Sequence, residues 1–243
     1  MVLKFALLVL GAYLLGSVPT AYLIARWRRG IDIRKYGSGN VGASNVLAVV
    51  SKRWSIPVTV FDIGKGALTV WVAQLLELGA AQQVIVGIAT VIGHNWPIFL
   101  RFKGGRGAFT TLGVITMLSP KLGLIILVMA YAMSPLRQLA LGTFLALVSL
   151  PIFSWFLSQP LDIGERIPIT LGFVVLSFIV LSRRLIEQRT PLSESVPLAQ
   201  LLINRLLFDR DIRDRKSWIS QSRLLRQDSI EQLLEPEEEQ QKC

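Results

Sequence analysis

Two glycine-rich loops carry the residue types that bind phosphate. The first runs from Gly37 to Asn45 and consists almost entirely of Gly, Ser, Asn and Ala. The second, Phe102–Gly107, places Lys103 and Arg106 on either side of two glycines, directly before an apolar segment. Glycine lets successive backbone N–H groups point into one concavity, and a cation at a helix N-terminus adds charge. Each pattern therefore indicates an anion site.

Other uses of these glycines fit the pattern less well. Gly37–Gly42 matches G-x-G-x-x-G, but a dinucleotide fingerprint follows an apolar strand in a βαβ unit. Here it follows DIRKY and is flanked by apolar segments. The second loop does not fit G-x-x-x-x-G-K-[ST]. Taken alone, the first loop is also consistent with a flexible linker. The presence of two such loops favours phosphate binding. A surface that only has to be positively charged does not require glycines between its cations.

Three ionisable residues stand inside apolar segments. Asp62 and Lys65 are three residues apart, which places them on one helix face where they can pair. His94, the single histidine, lies near the end of another apolar segment. Intramembrane ionisable residues face a polar interior. Two interpretations stay open: a buried structural ion pair with a hydrogen-bonded histidine, or contact with substrate.

Cysteine and histidine usage excludes two kinds of site. The chain has one cysteine, Cys243, and one histidine. It therefore has no disulfide framework and no His/Cys zinc site. We expect no metal and no cofactor.

Long uncharged segments indicate how these residues are positioned. The chain is 52% hydrophobic and 17% charged. Charged side chains are absent from Phe5–Ala25, Leu78–Leu100 and Gln138–Leu161, and about 20 helical residues cross a membrane. We predict an all-α polytopic membrane protein with about seven transmembrane helices. The predicted spans are residues 3–25, 55–78, 80–100, 107–119, 121–133, 136–158 and 167–185. The fourth and fifth are short, so six crossings or a re-entrant arrangement is the alternative.

The positive charge is concentrated in the apolar part of the chain. Residues 1–182 contain 15 Lys/Arg and 5 Asp/Glu, whereas residues 183–243 contain 11 of each. Loops after the first, third and seventh predicted spans carry the cations. The positive-inside rule then places the N-terminus outside and the C-terminus in the cytoplasm. The excess charge indicates anionic substrates or lipid headgroups.

Several motifs together resemble the bacterial acylphosphate-dependent glycerol-3-phosphate acyltransferases of the PlsY type. Their order and spacing match over about residues 1–185. The resemblance implies transfer of an acyl chain from acyl phosphate to the 1-hydroxyl of glycerol 3-phosphate, giving lysophosphatidate and phosphate, the first step of phospholipid synthesis. It also implies a bacterial inner-membrane protein whose active site faces the cytoplasm. The motifs are Gly16–Pro19, Asp32–Arg34, Gly37–Asn45, Asp62–Gly66, Gly93–Pro97 and Phe102–Gly107.

The resemblance also implies roles for individual residues. Ser38 and its glycine neighbours would lie at the acyl phosphate, and the Lys103–Gly107 loop would hold glycerol 3-phosphate. The candidate catalytic residues are Ser38, Asn45 and His94. The candidate substrate-binding residues are Gly37, Gly39, Asn40, Gly42, Lys65, Lys103, Gly104, Gly105, Arg106 and Gly107.

The sequence departs from the family pattern in three places. The arginine expected ten residues after the serine is Ala48, and the lysine of the second loop is Arg106. The His-x-x-Asn expected after the last helix is absent, and Arg184 and Glu187 stand at that spacing.

These departures motivate an alternative, a non-catalytic relative that binds phosphorylated ligands or regulates lipid synthesis. A transporter of phosphorylated metabolites is a weaker alternative, because no internal repeat is visible. The candidates to replace the missing cation are Lys52, Arg53 and Arg184.

We predict two parts, a transmembrane domain over residues 1–189 and a cytoplasmic tail over residues 190–243. Leu198–Leu234 mixes Leu/Ile patches with Arg/Asp pairs. This favours a solvated helical extension; the alternative is an amphipathic helix that contacts the membrane surface or a partner. Glu235–Glu239 is predicted to be disordered. The expected partners are acyl phosphate, glycerol 3-phosphate and membrane lipids, with no nucleic acid.

Overall fold

The computed structural model describes residues 2–186, 194 and 196–213, and all regular secondary structure in them is helical. This confirms the predicted all-α class. Short 3-10 turns occur at Ile33–Lys35 and Ile98–Leu100. The helices are α1 (Val2–Gly16), α2 (Thr20–Arg29), α3 (Ala43–Val49), α4 (Lys52–Leu75), α5 (Ala80–Asn95), α6 (Ala108–Leu118), α7 (Pro120–Ala132), α8 (Leu139–Phe156), α9 (Arg166–Leu185) and α10 (Leu198–Phe208).

Five helical stretches in the described residues are long and apolar enough to cross a membrane. They are Val2–Arg29, Lys52–Leu75, Ala80–Leu100, Leu139–Phe156 and Arg166–Leu185. The helices α6 and α7 are shorter, with 11 and 13 residues. Their rise is about 16 and 20 Å, against roughly 30 Å of hydrocarbon. The two short predicted spans therefore correspond to two short helices, and the count of seven crossings stays a prediction.

The bundle is apolar outside and carries charged groups inside. Large apolar side chains point outward on the long helices, for example Val60 on α4, Val128 on α7 and Phe178 on α9. Asp62 and Lys65, by contrast, are buried. An apolar exterior of this extent marks a surface that contacts lipid. The structure therefore supports a multi-pass membrane protein.

Glycines allow neighbouring helices to approach closely. A Cβ atom added to Gly66 on α4 would collide with the Thr110 carbonyl oxygen on α6. A Cβ atom added to Gly113 on α6 would collide with the Ile63 carbonyl oxygen on α4. The helices α1 and α5 meet in the same way at Gly16. Small residues at such crossings are the usual means of packing helices in a membrane.

The two ends of the bundle differ in charge and in content. At one end the turns after α4, α6 and α8 meet: the Ala80 amide donates to Glu165 Oε1 at 3.3 Å, and the Ser119 hydroxyl donates to the Leu161 carbonyl at 3.2 Å. At the other end lie the two glycine loops and the start of α8. The cation-rich segments of the sequence are thus gathered at the glycine-loop end. Which end faces the cytoplasm stays a prediction.

Residues 196–213, the C-terminal arm, fold back onto the glycine-loop end. The arm contains α10, which packs against α8 and α9, and Leu201 on α10 is buried. The Arg184 guanidinium donates to the carbonyl oxygens of Leu206 at 2.8 Å and Ala140 at 3.1 Å. This part of the tail is helical but is not a solvated extension, because Leu201, Asn204 and Arg205 of α10 are buried against the bundle. Glu187 and Glu235–Glu239 lie outside the described residues.

Candidate active site

Asn45 organises the first glycine loop. Its buried side chain accepts a hydrogen bond from the Ser38 backbone N–H at 3.0 Å. Its amide nitrogen lies within donating distance of the carbonyl oxygens of Tyr36 at 2.9 Å and Asn40 at 3.0 Å. Gly37 has a φ of 60°, and a Cβ atom there would collide with Asn45 Oδ1. The loop therefore requires both glycine and asparagine, and Asn45 is placed to position it.

An ion pair just before the first glycine loop contacts the segment that precedes the second. The Arg34 guanidinium donates to both carboxylate oxygens of Asp32, at 2.6 to 3.2 Å, and to the Leu100 carbonyl at 3.4 Å. The hydrogen bonds from Arg34 hold the pKa of Asp32 below its usual range, and the same contact raises the pKa of Arg34. Because Arg34 lies just before the first loop and Leu100 just before the second, this contact links the segments that lead into the two loops.

Gly104 and Gly105 are required by close packing. A Cβ atom on Gly104 would collide with the His94 carbonyl oxygen, and one on Gly105 would lie 2.7 Å from the Val41 carbonyl oxygen. The Gly105 N–H donates to the His94 carbonyl at 3.0 Å. This hydrogen bond uses a backbone N–H group that the glycine pattern predicted to be available to an anion. The side chain of Lys103 is exposed.

Asp62, Lys65 and His94 form one buried cluster. The Lys65 ammonium lies 2.9 Å from Asp62 Oδ1, 2.8 Å from His94 Nδ1 and 3.1 Å from the Gly16 carbonyl oxygen. Because an ammonium group only donates, Nδ1 accepts, and the proton of a neutral imidazole belongs on Nε2. The Lys65 side chain is 1% exposed. The cluster joins α1, α4 and α5, and this geometry favours the structural interpretation of Lys65.

A cavity of about 1020 Å³ brings many of the candidate residues together. Its polar wall comes from the first glycine loop and the start of α6, and Asp62 also reaches it. Its apolar wall comes from α6 to α9. The candidate residues on the wall are Gly37, Ser38, Asn40, Gly42, Asn45, His94, Arg106 and Gly107. The candidate residues away from the wall are Gly39, Lys65, Lys103, Gly104 and Gly105.

Sequence reasoning missed part of the polar wall. Arg137, just before α8, and Arg210, in the C-terminal arm, both line the cavity. Ala48 lies on the same wall. Of the three cations considered as replacements for the missing arginine, Arg184 is the one on the wall. The alternation of Arg and Asp in the tail was the available signal for Arg210, and it did not reveal where the tail packs.

Comparison with known proteins decides the family. Residues 6–189 match the family model described as glycerol-3-phosphate acyltransferase. The chain belongs to the glycerol-3-phosphate acyltransferase family. The resemblance drawn from the motifs is thereby confirmed over most of the transmembrane domain.

Similarity to individual members of this acyltransferase family extends beyond the residues that the family model matches. Glycerol-3-phosphate acyltransferase 5 of Dehalococcoides mccartyi is 44% identical over 222 residues, covering 91% of this chain and 95% of that relative. An alignment of that extent includes the C-terminal arm. Glycerol-3-phosphate acyltransferase 1 of Deinococcus radiodurans is 48% identical over 132 residues, covering 54% of this chain and 66% of that relative.

Solved structures of the family have the same fold. The crystal structure of PlsY, an integral membrane glycerol 3-phosphate acyltransferase, in its glycerol 3-phosphate form has a TM-score of 0.68 and 30% identity. The matched region covers 79% of this chain and 98% of the PlsY chain. The lysophosphatidic acid form has a TM-score of 0.65 at the same identity, covering 74% of this chain and 88% of that chain.

Proposed function

We propose that this protein transfers an acyl chain from an acyl phosphate to the 1-hydroxyl of glycerol 3-phosphate, producing lysophosphatidate and phosphate. Membership of the glycerol-3-phosphate acyltransferase family supports the acceptor. One observation carries the proposal: the first glycine loop and Arg106 share a cavity with the apolar side chains of α6 to α9. A polar end joined to an apolar wall suits a ligand that has a phosphate head and an acyl chain.

The reaction exchanges one acyl bond for another. The 1-hydroxyl oxygen attacks the acyl carbonyl carbon, a new C–O ester bond forms, and the C–O bond of the mixed anhydride breaks. Inorganic phosphate leaves, and the hydroxyl proton passes to the phosphate or to solvent. Both substrates and the leaving group are anions, so fixed cations and oriented donors supply positioning and electrostatic stabilisation.

Two residues have the main roles in this proposal. The Ser38 hydroxyl lies on the cavity wall in a loop held by Asn45, and it contacts the acyl phosphate. Arg106 lies at the start of α6 and binds the phosphate of glycerol 3-phosphate, where a guanidinium group can make two parallel hydrogen bonds. His94 and Asn40 complete the polar wall. Lys65 acts indirectly, by fixing His94.

We place the protein in the bacterial inner membrane with this cavity open toward the cytoplasm. The loops rich in Lys and Arg support this orientation, because they gather at the glycine-loop end of the bundle. The cytoplasm is also where a water-soluble substrate such as glycerol 3-phosphate would be available.

The test is acyl transfer by the purified full chain in detergent. Palmitoyl phosphate and radiolabelled glycerol 3-phosphate are supplied, and labelled lysophosphatidate is measured. We expect product from the wild type, and a loss of about 100-fold or more in turnover for Ser38→Ala and Arg106→Ala, because each removes a group that positions a phosphate. Arg106→Lys restores the lysine of the family pattern and is expected to keep most of the activity.

The variants test which residues form the site, and the wild type tests whether the protein catalyses the reaction. Normal turnover in Ser38→Ala and Arg106→Ala would disprove the site assignment. Folded wild-type protein that binds glycerol 3-phosphate without forming product would favour the non-catalytic relative. The departure from the family pattern at Ala48 is the observation behind that second candidate.

A further inference from the structure

The C-terminal arm places a carboxylate on the arginine of the second glycine loop. Asp209, directly after α10, forms an ion pair with the Arg106 guanidinium. Its other oxygen, Oδ1, lies 3.9 Å from Nε of Arg184. All three side chains line the cavity. Carboxylates and phosphates accept hydrogen bonds from the same N–H groups of a guanidinium, so a carboxylate of the chain itself stands where a phosphate would bind Arg106.

Buried contacts hold the arm in this position. The Arg205 guanidinium donates to Asp211 Oδ1 at 2.6 Å, and both side chains are about 95% buried. The Asn204 amide donates to the Asp211 carbonyl at 3.1 Å. At the other side of the arm, Arg184 donates to the Leu206 carbonyl at 2.8 Å. The location of the Asp209 carboxylate is therefore set by a packed segment rather than by a surface side chain.

The Asp209 carboxylate is only half satisfied. Its Oδ1 atom is buried and accepts no hydrogen bond from any described residue. A buried charged oxygen without a hydrogen bond carries a free-energy cost. A phosphate has more acceptor oxygens and more negative charge than a carboxylate. An incoming phosphate can therefore displace this carboxylate from Arg106, whereas a single carboxylate ligand gains little by doing so.

We propose that Asp209 is a specificity-determining residue of the anion site, paired with Arg106 when no phosphate is bound and displaced by a phosphate monoester. The inference rests on the proposed function, which assigns Arg106 to the phosphate of glycerol 3-phosphate. In this arrangement the arm lowers the affinity for every anion, and it excludes monoanionic carboxylates of similar size, such as glycerate. Asp209 adds this selectivity from outside the family-model match.

Calorimetric titration of the full chain with glycerol 3-phosphate, without an acyl donor, tests the competition. Asp209 has a φ of 60°, a conformation that Asn adopts readily, so Asp209→Asn preserves the backbone. We expect Asp209→Asn to lower the dissociation constant on the order of fivefold and to allow glycerate binding, because the site no longer has to open before the anion binds. An unchanged or weaker affinity would overturn the proposal.

A matched control and a second variant isolate the cause. Glu194→Gln removes the same charge from an exposed carboxylate away from the cavity wall, and it is expected to leave the affinity unchanged. Asp211→Asn breaks the contact with Arg205 and loosens the arm without changing a cavity residue. It is expected to tighten binding in the same direction, and a weakened affinity would also contradict the proposal.

The outcomes distinguish this proposal from the proposed function. Equal binding by the wild type and Asp209→Asn overturns the competition and leaves the acyl transfer assay unaffected. Absence of binding in both chains overturns Arg106 as the anion site and the competition with it. Tighter binding in Asp209→Asn together with no acyl transfer by any variant supports the competition and overturns the proposed activity alone.

Discussion

Lys65 and Asp62 place opposite charges within an apolar bundle, where an unpaired charge is costly. Their distance of 2.9 Å is that of a close ion pair, and His94 and the Gly16 carbonyl take the other two donor directions of the ammonium group. The cluster is thus fully paired at Lys65, and it also sets the orientation of the His94 ring beside the cavity. Removing Lys65 leaves the buried Asp62 carboxylate with His94 Nδ1, 3.5 Å from its Oδ1 atom, as the remaining partner.

Lys65→Met is expected to destabilise the folded protein by about 3–5 kcal/mol, the usual cost of breaking a buried pair from one side. The measurement is the thermal unfolding midpoint in detergent. Lys121→Met is the matched control, because Lys121 also pairs with an aspartate, Asp162, at 2.6 Å, but on the exposed surface. An exposed pair contributes roughly 0–1 kcal/mol. Similar shifts in both variants would contradict the interpretation of the buried cluster.

At the scale of helices, the spacing between α4 and α6 determines where Arg106 stands. The helix α6 begins at Ala108, two residues after Arg106. Its position against α4 depends on Gly66 and Gly113, whose Cα atoms each face a carbonyl oxygen of the other helix. Any side chain at these positions forces the helices apart. Because cavity walls come from α6, such a shift is transmitted directly to the proposed phosphate site.

Gly66→Ala is expected to lower the free energy of unfolding by about 1–3 kcal/mol through overpacking. It is also expected to reduce turnover up to about 100-fold, because a displacement near 1 Å is enough for that loss. Acyl transfer and thermal unfolding measure the two effects. Gly64→Ala on the same helix has nothing within 4 Å of the added Cβ atom, so it is expected to retain activity. Equal losses in the two variants would show that the close contact is not responsible.

At the scale of the whole molecule, charge and packing separate the two ends of the bundle. The loop around Asp162 lies at the end formed by the turns after α4, α6 and α8, and the Asp162 side chain is 75% exposed. Arg101, also exposed, lies beside the second glycine loop at the other end. From the positive-inside rule we predict that the glycine-loop end faces the cytoplasm.

Single-cysteine labelling tests this orientation. In a Cys243→Ser background, Asp162→Cys is expected to react with a membrane-impermeant maleimide in intact spheroplasts. Arg101→Cys is expected to react only after permeabilisation. The reverse pattern would invert the predicted topology and place the proposed active site outside the cytoplasm.

The sequence predicted the features that depend on local pattern. Uncharged segments predicted the all-α class, because the bilayer requires long apolar helices. The short apolar stretches after residue 107 predicted the short helices α6 and α7. The first glycine loop and Arg106 line the polar wall of the cavity, whereas Lys103, Gly104 and Gly105 of the second loop lie away from it. The glycine pattern did not distinguish a phosphate-binding glycine from one that close packing requires. Asp62 and Lys65 were predicted to pair because they stand three residues apart on one helix.

The sequence could not predict contacts between segments far apart in the chain. His94 joins the pair formed by Lys65, and Arg34 reaches Leu100, only because of how the helices pack. Gly105 looked like a residue with an open amide, but its N–H is used by the His94 carbonyl. Periodicity shows which face of a helix is buried, whereas the partner of that face depends on packing.

The amino-acid sequence by itself determined the kind of protein, a membrane-embedded helical bundle with two loops rich in glycine, because residue types and short spacings are sufficient for those features. The tertiary structure alone decided that the tail returns to the site and that Asp209 meets Arg106, 103 positions apart. Such a contact depends on the packing of α10 against α8 and α9, and no local pattern specifies it.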